Sequence, residues 1–93
     1  MLTLAMMLLM PVDVCAPLAK IAEQIMTARQ NQTPITTVMD VMTTVDDANE
    51  QALMRALVLA AYEEPAFSSD RYKAKAIVEF QNKTYLACAK ARQ

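Results

Sequence analysis

The sequence contains no histidine, no glycine and no tryptophan, and only two cysteines. Without an imidazole the chain has no histidine general base, no Ser-His or Cys-His nucleophile pair and no His-rich metal site. Without glycine, no loop can bring its backbone against a phosphate at positive φ, which excludes a P-loop and a dinucleotide-binding turn. Cys15 and Cys88 are too far apart to form a CxxC motif, and two thiolates alone do not complete a tetrahedral zinc site. No cofactor, metal or catalytic residue is therefore expected.

Charge of either sign is also scarce. The formal charge of −1 gives no reason to expect a polyanionic partner, yet it is unevenly distributed. Residues 70–93 carry six cations against Asp70 and Glu79, a local +4, which leaves −5 on everything before them. A basic last segment thus follows an acidic body. Its outward cations Arg71, Lys75 and Lys83 are candidates for contact with an anionic protein surface or phospholipid headgroups. Nucleic acid is not an expected partner, because most of the surface would repel it.

What is present is apolar. In 93 residues, 55% hydrophobic side chains suffice for one domain with a small core, one that buries roughly 60% of the unfolded chain's surface. The run "LTLAMMLLM", Leu2 to Met10, has the length of a signal-peptide core and under half of the roughly 20 residues that span a bilayer. No Lys or Arg precedes it, and no A-x-A cleavage site follows. We read residues 1–13 as a hydrophobic leader and residues 14–93 as one helical domain. Membrane contact is expected through residues 2–10 only. The alternative is that the run stays on the chain as an interaction helix.

Beyond Pro11 the punctuation predicts four helices and no strands. The first spans Val14 to Gln30, capped by Asp13 or Ala16, with Cys15, Leu18, Ala22, Ile25 and Met26 on its inner stripe. Thr33 and Pro34 start a second helix, which carries Ile35, Val38, Met39 and Met42 and ends near Thr44. Asp47 and Glu50 open a third, with Leu53, Ala56, Leu57, Ala60 and Ala61 inward, ending before Pro65. Ser68 or Ser69 caps a long fourth helix to about Ala91, whose face holds Ile77, Phe80, Thr84, Ala87, Cys88 and Ala91. The fold expected is a small four-helix antiparallel bundle.

Alternation of direction then pairs the cysteines. Short connections make consecutive helices run up, down, up, down, so the start of the first and the end of the fourth lie at the same end. Cys15 and Cys88 stand at those positions on apolar faces, and a disulfide between them closes the bundle. Such a bond points to an oxidising compartment, periplasmic or secreted; reduced core cysteines would point to the cytoplasm.

The remaining candidates have bland readings. Met1, Met6, Met7 and Met10 precede Pro11, while Met26, Met39, Met42 and Met54 occupy core or groove positions. Met39 and Met42 could line a binding groove between the first two helices. Asp46, Asp47, Glu50, Glu63 and Glu64 sit at helix ends, where acids complement the helix dipole without any catalytic role. Tyr62, Tyr72 and Tyr85 are expected at the rim with hydrated hydroxyls. The Asn31 and Asn82 sequons are taken as chance.

The segments "CAPLAKIAEQIMTARQ", "RALVLAAYEEPAF" and "AIVEFQNKTYLACAKA" resemble small exported two-cysteine helical proteins of proteobacteria and their phages. That resemblance covers roughly residues 15 to 91. It implies an exported helical domain and transfers no catalytic residues. In style the chain is also similar to small periplasmic acid-stress chaperones with one disulfide, although here the bond would enclose nearly the whole domain and no strong acid switch is visible. The function expected is non-enzymatic binding of another protein or an envelope component, chaperone- or inhibitor-like. The alternative is a cytosolic or membrane-associated regulator that uses an uncleaved Leu2 to Met10 segment.

Overall fold

The computed structural model describes residues 14–92. The expected leader, its cleavage, the Asp13 cap and any membrane contact of residues 2–10 lie outside that range. Among the described residues the chain is all-helical: α1 Cys15–Gln30, α2 Ile35–Met42, α3 Ala48–Glu63 and α4 Asp70–Ala91.

The helix boundaries follow from local chemistry. Asp47 caps α3 by accepting the Glu50 N–H at 2.9 Å, and Ser69 caps α4 by accepting the Tyr72 N–H at 3.2 Å. α1 starts without such a bond, because its N-cap is Val14. Thr33 does not cap α2; Pro34 takes that position and the Thr33 backbone serves α1 instead. The Thr33 N–H bonds to the Ala28 carbonyl and the Gln32 N–H to the Arg29 carbonyl, both at 2.9 Å, which is a Schellman closure. Gln32 therefore stands at φ 61°, a position that glycine would normally fill.

α1 is the central element. It packs against α2, α3 and most extensively α4, whereas α3 and α4 flank it without packing along each other. The core is correspondingly small. Ala22, Ile25 and Met26 of α1 meet Val38 of α2, Val58 and Ala61 of α3 and Phe80 of α4. Close packing of these few side chains stabilises the domain by dispersion and removal of apolar surface from water.

Two expected faces are corrected. On α3 the buried residues are Val58 and Ala61, while Leu53 is 45% exposed and Ala56 and Ala60 face solvent. The reason lies in the helix itself, whose charged residues are Glu50, Arg55 and Glu63 only. A helix apolar nearly all round gives no stripe by which periodicity can orient it. On α4, Phe80 and Thr84 are buried as expected, but Ala87 and Ala91 are exposed, because no helix lies across them.

Candidate functional site

Cys15 and Cys88 are joined, with Sγ atoms 2.08 Å apart and Cα atoms 5.5 Å apart. The bond ties the first turn of α1 to the last turns of α4. Cys15 is fully buried and Cys88 half-buried.

Beside this clamp the flanking helices leave an open groove of about 490 Å³, bordered on α1 by Val14 and Leu18, on α3 by Leu53 and Leu57, and on α4 by Ala87 and Ala91. A second depression of about 470 Å³ continues it around the start of α3, where Glu50 and Met54 join Leu18, Ile21 and Leu53. The lining is almost wholly aliphatic, with Lys83 and Arg92 at the α4 side and Glu50 at the α3 side. Apolar surface of this extent beside sparse, separated charges suits an apolar chain or helix face. It contains no nucleophile–base pair.

The opposite end is closed by polar groups. The Gln30 side chain is 1% exposed, yet its amide N–H groups bond to the Pro65 carbonyl at 2.9 Å and contact the Met26 sulfur at 3.4 Å. Its amide oxygen accepts the Phe67 N–H at 2.9 Å, and the Lys73 ammonium donates to the Gln30 backbone carbonyl. Arg29 donates through Nε to the Glu64 carbonyl at 2.8 Å and lies 5.2 Å from the centre of the Tyr62 ring. The Tyr62 hydroxyl donates to the Thr33 carbonyl at 2.6 Å, so it is not the hydrated rim group expected from sequence. Desolvation raises its pKa above the ordinary value, against a smaller lowering by the Arg29 charge.

The sequence-predicted residues are not brought together. Lys83 points toward α3, its Nζ 4.0 Å from Glu64, whereas Lys75 pairs with Glu79 of its own helix at 4.0 Å. Arg71 is exposed at the start of α4. Each lysine thus has an acid beside it, and all three cations are exposed on α4. Met39 and Met42 both pack against the core, and Met42 also borders a shallow depression of about 290 Å³ between α1 and α2. The residues that sequence reasoning missed are the groove-lining Leu53 and Ala60, taken as core, and Gln30, named only as the end of the first helix and in fact buried.

No family model, no curated protein and no solved structure matches this chain. Among the described residues no cluster of three or more His, Cys, Asp or Glu could hold a metal, and no helix is long and apolar enough to cross a membrane. The bonded cysteine pair is compatible with an oxidising, exported location.

Proposed function

We propose that the chain is a non-enzymatic, exported helical binding module, and that its working surface is the apolar groove between α3 and α4. The observation that carries this reading is that α3, apolar nearly all round, lies at the flank of the domain with Leu53, Ala56 and Ala60 uncovered. An amphipathic surface helix would turn charge outward at these positions, so uncovered leucine and alanine point to a partner. The disulfide suits this arrangement because it constrains the unfolded chain and holds the groove's end without requiring a helix on top. The resemblance to exported two-cysteine proteins and the Leu2 to Met10 run support export.

The test is a photo-crosslinking side chain at Leu53, compared with one at Asp40 on the exposed side of α2, in cells that make the protein. A defined macromolecular adduct from position 53 and none from position 40 supports the groove as the working surface. Equal labelling from both positions, or none from either, contradicts it. Substrate turnover abolished by changing one carboxylate would replace the reading with an enzymatic one.

A further inference from the structure

We propose that the groove is closed by a second copy of this chain, in a two-fold dimer whose axis runs along the groove. The inference rests on the reading that the groove is the binding surface and names its occupant.

Three observations point to a copy. The first is size: α3 is about 24 Å long, and the face across α3, groove and α4 is about 30 Å wide at ordinary helix spacings. That gives on the order of 700 Å² in projection, comparable to the roughly 800 Å² per partner of a stable interface. The second is composition. Leu53 and Ala60 on one rim face Ala87 and Ala91 on the other, all exposed, and the three alanines let helices approach closely.

The third is charge, and it selects the occupant. At the clamped end, beside Cys88, Glu50 borders the groove on the α3 side and Arg92 on the α4 side. A two-fold axis along the groove lays α3 of each copy over α4 of the other. Acid then meets base twice, in register, from one surface. An axis across the groove would instead set α3 on α3, with like charges opposed. A net charge of −1 adds little repulsion between copies.

The test is sedimentation of the oxidised protein over a dilution series, with its N-terminus fixed by intact mass. The expected result is a reversible monomer–dimer equilibrium. Leu53→Glu should weaken it by at least about tenfold with the helical circular dichroism unchanged. Glu50→Arg should weaken it a few-fold, more at low salt, and Glu50→Arg combined with Arg92→Glu should restore it. Because the double variant regains dimer, loss in the single variants cannot be assigned to misfolding. A monomer at every concentration, or a dimer indifferent to these changes, overturns the proposal. If that monomer crosslinks from position 53 to a different protein, the dimer fails and the binding reading stands. If it crosslinks only to its own residues 2–10, the leader is the occupant and the dimer again fails. A monomer that gives no adduct ends both readings.

Discussion

The two ends of this bundle are held by different physics. At the end where α1 finishes, polar groups close the structure: Gln30 and Arg29 satisfy the Glu64 and Pro65 carbonyls and the Phe67 N–H, Tyr62 satisfies the Thr33 carbonyl, and Lys73 donates to the Gln30 carbonyl. Such a network rewards one arrangement, because a buried polar group left unpaired costs more than a made bond contributes. At the end where α1 begins, one covalent bond joins α1 to α4, and apolar side chains stay uncovered beside it. The first end is closed by polar bonds; the second leaves an apolar surface uncovered.

That comparison is most strongly tested at the clamp. Removing a cross-link across 73 positions returns loop entropy to the unfolded state, so Cys88→Ser should cost about 4 kcal/mol in denaturant melts under oxidising conditions. In strong reductant the variant and parent should melt alike. Equal stability in both conditions would show that the clamp contributes nothing.

At the polar end, Gln30→Ala should cost about 3 kcal/mol, since it creates a cavity and strips partners from Pro65 and Phe67. This loss should persist in reductant, which separates it from the clamp. A change below about 0.5 kcal/mol would make Gln30 an ordinary surface residue.

Tyr62→Phe should cost about 1 kcal/mol at neutral pH through the lost bond to Thr33. Its raised pKa also has a sign. The folded chain holds the phenol proton that the unfolded chain releases, so the stabilisation is complete below the ordinary tyrosine pKa and falls as pH rises through the folded value. The phenolate titration should contain a component above the ordinary value that Tyr62→Phe removes. The same titration curve in both proteins would contradict the burial assigned to this hydroxyl.

The smallest effects sharpen the contrast from both sides. Gln32→Gly should stabilise by about 0.5–1 kcal/mol, because glycine accepts positive φ without the Cβ clash. Leu53→Ser at the groove should cost no more than about 1 kcal/mol, since Leu53 is already 45% exposed. A large loss there would place Leu53 in the core and remove the groove.

Legibility in the sequence follows the same division. The starts of α3 and α4 were readable because Asp47 and Ser69 are residues whose side chains cap helices, and the Cys15–Cys88 pair was readable from the alternation of four helices. The polar end was not. Gln30 beside "NQT" reads as a chain leaving the helix for water, and only the tertiary approach of the 65–67 segment buries it. The groove was hidden for a different reason: "QALMRALVLAAY" is apolar on every side, so periodicity places leucines 53 and 57 inward as readily as Val58. The outward placing of Arg71, Lys75 and Lys83 was legible in the helical period, whereas the approach of Glu64 to Lys83 depends on the tertiary fold.

The account depends most on the clamp being formed in an exported chain, and intact mass of the protein from its native cells tests this directly. The predicted result, without reductant, is a chain that has lost its leader, retains Cys15 and weighs two hydrogens less than after reduction. A mass that includes residues 1–13, with both thiols free to be alkylated before any reduction, would contradict it: the groove end would then have no covalent hold, and the cytosolic or membrane-associated reading would replace this one.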